Sequence, residues 1–309
     1  MAGAGKSAFC RALVPVCVAA GLTMCAASAG PEAWDRAWTQ LWEPDFTQAA
    51  EEYPACVHVL DVGKADAIIL ECEGKFALVD AGTLDRGEQV SQYLARRGAD
   101  RLEFAINSHP DSDHVGGMGE VLTRFETGSY ITPELPPKLE PRDGEYAKLK
   151  DLLLEKDIPV IHPEPGTEFE LNSMRIQVLG PLSPGETTND NSLVLRVEYG
   201  TSVFLLMGDA EEAEEEELLE SGQNLRADVL KVAHHGSKSS TSKAFLKAVR
   251  PEYAVISVKK DRNKLPKKKV LYRLKEQGAQ VLRTDVDGTV LFLTDGKDIT
   301  VETENRKGN

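Results

Sequence analysis

Aromatic side chains make up only 6% of this 309-residue chain, and its three tryptophans (Trp34, Trp38, Trp42) crowd near the start. Cysteine is scarcer. Of five, Cys10, Cys17 and Cys25 fall within the first 29 residues, leaving Cys56 and Cys72 for the body. A structural zinc site built from cysteines therefore has too few thiolates. After residue 30 no apolar run approaches the roughly 20 residues that span a bilayer. Positive charge is also in deficit: 36 Lys and Arg stand against 50 Asp and Glu, a formal charge of −14. That excludes a surface that is basic throughout. It leaves room for a local basic groove, because screening confines distant charges to about 8–10 Å. The 41% hydrophobic and 28% charged content is that of an ordinary globular chain, sized for one large α/β domain or two small ones.

The ends read separately from the body. Lys6 and Arg11 precede an apolar run from Ala12 to Ala20, and Ala27-Ser28-Ala29 supplies small residues at a cleavage position. Residues 1–29 thus read as a secretory signal peptide, which places the mature chain in the periplasm or outside the cell. Cys25 offers a lipoprotein alternative, weakened by the bulk of Met24 before it. Residues 30–52, with tryptophans four apart, read as a short amphipathic helical extension. Residues 53–303 form the catalytic-type domain, and 304–309 should fray. Cys56 and Cys72 bracket two strand-like runs, Val57–Val62 and Ala67–Glu71, so they either form a disulfide at the open end of a hairpin or remain buried thiols.

Chemistry concentrates at strand ends. Leu102–Asn107 runs into Ser108-His109-Pro110-Asp111-Ser112-Asp113-His114-Val115-Gly116-Gly117, with two imidazoles and two carboxylates in six positions. Val203–Met207 ends in Gly208-Asp209, and Ala227–Ala233 ends in His234-His235-Gly236-Ser237. Helix capping would use one acid of the first cluster and leave the rest unexplained. Asp209 alone reads as the cap of the acidic helix Ala210–Ser221, whose glutamates should face water; its position between the histidine clusters reverses that reading. His58 and His162, isolated in apolar or proline-rich surroundings, read as structural.

Imidazole and carboxylate donors suit zinc, manganese or iron(II). His109 and Asp111 would hold one ion, Asp113 and His114 a second, and Asp209 would bridge the pair at about 3.5–4 Å. His235 completes the set, with His234 a weaker candidate. Asp113 and Asp209 are the residues expected at the reaction itself, where activated water would attack phosphorus. Strands alternating with helices, ligands at the strand ends, predict an α/β layered sandwich with sheets inside and helices outside.

The cluster His109–Gly117 resembles the metal motif of the metallo-β-lactamase fold, with aspartate replacing its middle histidine. Five further segments narrow the resemblance to the extracellular hydrolase domain of the ComEC competence family. They are Asp61–Ala67, Leu78–Gly82, Asn189–Leu195, Leu206–Asp209 and Asp228–Lys238, and Arg283-Thr284-Asp285 with Gly288 closes the series. The resemblance covers about residues 55–295. It implies a metallo-β-lactamase-like αβ/βα four-layer sandwich, two divalent metal ions (zinc or manganese), and nuclease or related phosphodiesterase activity on DNA. It also implies that Asp61, Asp66, Asp80 and Asn191 support the site, and that Ser237, Lys238 and Lys264 contact substrate phosphate. Relatives often carry glycine where Ala65 stands, and a histidine in the loop that here reads Asn263-Lys264-Leu265-Pro266. A third histidine found in true β-lactamases falls near Asn191, which argues against β-lactam hydrolysis.

Lys259, Lys260, Arg262, Lys264, Lys267, Lys268 and Lys269 outnumber the single acid Asp261 on this acidic chain. Such a segment tracks a polyanion by counterion release if it borders the site, and is a solvated loop if it does not. Only Tyr253 and Tyr272 are near enough in sequence to stack on single-stranded bases. Three functions remain in view: an exported DNA nuclease, a hydrolase of a cell-wall or small-molecule phosphoester, and a non-catalytic DNA- or partner-binding protein.

Overall fold

The computed structural model describes residues 46–260 and 264–305. The signal segment 1–29, the tryptophan-bearing part of the extension and residues 306–309 lie outside them. A helix, Phe46–Glu51, precedes the body.

Among the described residues, fifteen strands form two sheets. The first contains β1 (Ala55–Val59), β2 (Ala67–Cys72), β3 (Lys75–Ala81), β4 (Arg101–Ile106), β5 (Glu126–Ile131) and β6 (Val160–Ile161). The second contains β7 (Glu168–Leu171), β8 (Met174–Gly180), β9 (Val194–Tyr199), β10 (Ser202–Leu206), β11 (Val229–Lys231), β12 (Tyr253–Ile256) and β13 (Gln280–Arg283). The closing hairpin of β14 (Val290–Thr294) and β15 (Ile299–Thr303) returns to the first sheet, whose order is β15-β14-β1-β2-β3-β4-β5-β6. The other runs β13-β12-β11-β10-β9-β8-β7.

Alternation along the strands builds three apolar layers. Val57, Val59, Ile68 and Val79 meet Val178, Leu195, Phe204 and Val255 between the sheets. The opposite face of the first sheet packs Ile69 and Leu78 against Val90, Leu94, Val121 and Leu149 of the helices Gly87–Arg96, Met118–Arg124 and Gly144–Glu155. On the far face of the second sheet, Leu205 and Leu230 pack against Leu218, Leu246 and Leu274 of the helices Glu212–Glu220, Lys243–Val249 and Lys268–Glu276. Helix, sheet, sheet, helix is the expected four-layer sandwich.

Strand direction then positions the chemistry. β3, β4 and β5 are parallel, as are β10, β11 and β12, so the ligand-bearing C-terminal ends gather within each sheet. Parallel strands release their C-terminal loops on one edge, which is where such sheets place sites.

One open alternative is decided and two expectations need correction. Cys56 and Cys72 are free and buried. In the β1–β2 register Cys56 faces Glu71 while Ala55 faces Cys72, so the two thiols project to opposite sides of the sheet. The acidic helix does not turn all its glutamates to water: Glu214 and Glu215 are 3% and 0% exposed. Glu215 accepts the main-chain N–H groups of Thr241 and of Ser242 (2.8 Å), stitching the helix to the loop beyond the paired histidines. Finally, Glu304 and Asn305 are tied rather than frayed, their N–H groups donating to the Thr289 and Asp287 carbonyls at 2.9 Å.

Candidate metal centre

The loop after β4 turns at once into a short helix, Ser112–Val115, which stacks His109 and His114 with ring centroids 4.1 Å apart. Asp111 occupies the N-cap position without making a capping hydrogen bond, so capping does not explain these acids. The glycine pair that follows permits close approach. A Cβ on Gly117 would collide with the Ala81 carbonyl oxygen and lie 2.8 Å from Gly87 Cα. Gly208, at φ +52°, turns the chain between Ser108 and Ser192 and delivers Asp209, whose N–H donates to Ser192 Oγ at 3.1 Å. After β11 the backbone is strained. His234 (φ +49°) and His235 (φ +51°) are both left-handed, at roughly 1–2 kcal/mol each. Strain of this kind persists only where the surroundings enforce it, and here it swings His235 inward.

Each ring is then fixed through Nδ1. His114 Nδ1 donates to Asp80 Oδ2 at 2.8 Å, and His235 Nδ1 donates to the Ser257 carbonyl at 2.9 Å. Ser108 Oγ gives its proton to Asp80 Oδ2 (2.6 Å) and so accepts from His109 Nδ1 at 3.1 Å. Asp80 also receives the Ser108 N–H and the Asn107 amide, which makes it the buried hub behind the loop. This is the outer support that orients histidine ligands at metal sites.

The consequence lies on the other side of the rings. His109 Nε2 and His235 Nε2 are buried and lack a hydrogen-bond partner, and buried His114 Nε2 and Asp209 Oδ1 face only each other, at 3.2 Å. Each such orphan costs about 1–3 kcal/mol unless something satisfies it. The donor atoms of His109, His114 and Asp209 lie within 4.8 Å of one another, and so do those of Asp113, His114 and His235. Asp209 Oδ1 is 3.2 Å from His114 Nε2, and its Oδ2 is 3.8 Å from His235 Nε2. Neutral imidazole lone pairs and carboxylate oxygens converging this way fit a divalent cation.

The titration shifts follow the charges crowded into the cluster. Burial opposes charge on Asp209, but His114 and His235 outweigh it and hold the carboxyl well below its usual range. Burial likewise opposes the His114 cation, yet Asp209 and Asp80 hold that ring well above the usual histidine value. Burial, then His114, push His109 down. For Asp113 burial pushes up, and His235, His114 and Lys64 together bring it below the carboxylate range. A proton on His114 Nε2 occupies the lone pair a metal needs, so metal uptake releases it.

The remaining expected residues sort by distance. Asp111 reaches 3.8 Å from His109 Nε2 with its side chain 42% exposed. His234 belongs to neither donor group and its side chain is 25% exposed: its Nδ1 meets Glu211 Oε1 at 3.0 Å, while its Nε2 lies as near Asp209 Oδ2 as that of His235, at 3.8 Å. Asn191 turns away, its amide bonded to Gly185 and Thr187. Asp61 braces a turn by accepting the Gly63 N–H at 3.2 Å. Ser237 Oγ pairs with Ser239 Oγ at 2.9 Å, while Lys238 and Lys264 are exposed. His58 is held by Tyr93 and Glu71, and His162 bonds the Thr132 carbonyl, both structural as expected.

Two lysines were not anticipated. Lys231, in β11, pairs with Asp66 at 2.8 Å with both side chains 1% exposed, and Asp66 Oδ1 faces His235 Nδ1 at 3.7 Å. A charged residue inside the run Val229–Val232 was the available signal. Lys64 Nζ lies 2.7 Å from Asp113 Oδ2, a contact that no sequence spacing betrays.

A family model described as the Metallo-beta-lactamase superfamily matches residues 60–259. The chain is 30% identical over 256 residues to ComE operon protein 3 of Bacillus subtilis (strain 168), covering 76% of this chain and 32% of that protein. It is 32% identical over 269 residues to competence protein ComA of Neisseria gonorrhoeae, covering 83% and 35%. It thus spans about a third of the length of these relatives. Among solved structures, CmlA, a diiron β-hydroxylase from Streptomyces venezuelae, superposes with a TM-score of 0.55 at 12% identity, over 78% of this chain and 54% of that one, a likeness of fold. Joined to the donor cluster, these matches support a metal-dependent hydrolase, and the chain belongs to the metallo-beta-lactamase superfamily.

Proposed function

We propose that the chain is an exported metal-dependent phosphodiesterase, a nuclease that cleaves DNA outside the cytoplasm with two divalent ions, zinc or manganese. The observation that carries this reading is a cluster of buried donor atoms, the Nε2 atoms of His109, His114 and His235 and Asp209 Oδ1, with no partner outside the cluster and falling into two donor groups that share His114. Asp113, His114 and His235 would hold one ion, His109 with Asp111 the other, and Asp209 would reach both. His114 has a single free lone pair and serves one ion only, which is why Asp111 is needed beside His109. Bound there, such ions supply Lewis acidity at phosphoryl oxygens and lower the pKa of water.

The chain's own part is orientation. Asp80, Ser108 and the Ser257 carbonyl fix the three rings, so little reorganisation accompanies the reaction. DNA as substrate is supported by the competence proteins among the relatives and by the basic segment's place. The Lys267 N–H donates to the Gly236 carbonyl at 2.9 Å, and Lys259 Cδ lies 3.5 Å from where a side chain on Gly63 would begin. Lys259, Lys260, Lys264, Lys268 and Lys269 are exposed along that stretch. Among the described residues no helix is long and apolar enough to cross a membrane.

Purified protein incubated with single- and double-stranded DNA, with and without Mn²⁺ or Zn²⁺, tests the proposal. Metal-dependent cleavage abolished by Asp209→Ala is the expected result. Turnover of only a small chromogenic phosphodiester, or DNA retention without products, would refute nuclease action. N-terminal sequencing of protein recovered from an expressing bacterium should begin at Gly30; retention of Met1 would refute export.

A further inference from the structure

We propose that Tyr272 is a stacking platform, on which an unpaired nucleobase lies as a DNA strand leads away from the metal centre. The inference rests on the phosphodiester reading and deepens it. Of the two tyrosines near the basic segment, the fold removes one. Tyr253, in β12, packs edge-on to Phe292 in the layer between the sheets, with ring centroids 6.1 Å apart. Tyr272, on the helix Lys268–Glu276, is 60% exposed.

The place of that helix gives the exposed ring its meaning. The segment that follows His235 runs along the helix from start to end. At the start, the Gly236 carbonyl accepts the Lys267 N–H at 2.9 Å. Farther on, the Ser240 and Thr241 carbonyls accept Arg273 Nη1 at 3.2 and 2.8 Å. Lys243 then meets Glu276 at 2.8 Å and holds its ammonium 5.9 Å from the centre of the Tyr272 ring. Helical rise places Tyr272 only about 6 Å beyond Lys268, at the end beside the paired histidines.

Lys268, Lys269, Tyr272 and Lys275 share one outward face at helical spacing, and all are exposed. Residues 264–277 expose four lysines (Lys264, Lys268, Lys269 and Lys275) against one acid, Glu276, which Lys243 already holds. On a chain of formal charge −14 this local reversal suits a polyanion. Lysines alone attract any phosphate backbone. A ring among them adds a π-face, which only a base outside a duplex can cover. The Lys243 cation lies over one face of the ring, and the base takes the other.

The test uses the full chain loaded with Mn²⁺ or Zn²⁺ and measures fluorescence anisotropy with a short phosphorothioate-linked thymidine strand, whose linkages resist cleavage. Tyr272→Ala should weaken binding by roughly tenfold, the loss of one stacked base. Tyr272→Leu should do the same, and serves if alanine loosens the helix. Tyr272→Phe and Tyr272→Trp should stay within about threefold of the parent, since both keep a π-face. An abasic strand of equal length, with the same linkages and no bases, should bind the parent and Tyr272→Ala alike. Leu154→Ala, at an exposed position on the helix Gly144–Glu155 outside the first sheet, should match the parent. The proposal is overturned if Tyr272→Ala binds the thymidine strand like the parent, if it weakens the abasic strand equally, if Tyr272→Phe falls as far as alanine, or if the parent binds neither strand. Cleavage of an ordinary phosphodiester-linked strand is scored separately. Tyr272-dependent binding without cleavage sinks the nuclease reading and leaves the stacking assignment standing; cleavage with binding indifferent to Tyr272 does the reverse.

Discussion

Replacing Lys231 by methionine should destabilise this protein more than any surface change, and the reason can be worked from one ion pair. Lys231 Nζ and Asp66 Oδ2 are 2.8 Å apart with both side chains 1% exposed, and Nζ also donates to the Val232 carbonyl at 3.1 Å. At an effective dielectric of about 20 the attraction is about 6 kcal/mol. Desolvating the two ions consumes several kcal/mol each, so the intact pair is close to neutral in net stability. Burial pushes the Asp66 carboxyl up, and the Lys231 ammonium with the His235 ring reverses that and holds it below its usual range. Removing the ammonium leaves a buried carboxylate without compensation, at roughly 3–5 kcal/mol. Against a total stability of about 5–15 kcal/mol this is a large fraction. The double variant Asp66→Asn/Lys231→Met removes both charges and should return to within about 1.5 kcal/mol of the parent. Urea unfolding of chelated protein, followed by circular dichroism, measures the cycle. If the double variant costs the sum of the two singles, the pair is not coupled and the account of this core is refuted.

Asp80→Asn should weaken metal affinity by about 10–100-fold without removing a ligand, because the amide cannot orient His114 as the carboxylate does; a metal-buffered titration showing unchanged affinity would contradict this. Burial raises Glu215 from 4.5 to about 7. A carboxyl whose folded pKa is raised contributes stability fully present below about pH 4.5 and lost as pH climbs through about 7. The stability difference between the parent and Glu215→Gln should therefore shift against the parent by roughly 3 kcal/mol from pH 4.5 to 8; a flat difference would disprove it. Cys56 and Cys72, buried with thiols pushed up to about 12 and about 11, should resist a thiol reagent in the folded protein. Mass spectrometry should then find both labelled after unfolding without reductant, and a linked pair would overturn the register of β1 and β2.

The donor types, their order and the layered fold were legible in the sequence because each rests on a local signal. Strand runs such as Leu102–Asn107 and Val203–Met207 read correctly from apolar content. The strands β5 and β7 carry no such local signal: Glu126–Ile131 and Glu168–Leu171 have polar residues on positions that only pairing with neighbours turns into strand. The glutamates of the acidic helix were misjudged for the same kind of reason. Helical periodicity says which residues share a face, and here Thr241 and Ser242 come from 26 and 27 residues away to satisfy Glu215.

By itself the sequence determined which atoms could bind a cation and that they sit at strand ends, since side-chain chemistry and strand patterning are carried within short windows. Only the tertiary structure decided which of them meet. Packing of one sheet on the other set Asp209 beside His114, a left-handed turn buried His235 and left His234 partly exposed, and Asn191 spent its amide on its own loop. The same packing hid Lys231 against Asp66 and left Lys64 partly exposed beside Asp113. Contacts between residues far apart in the chain depend on register and crossover, which no local pattern encodes.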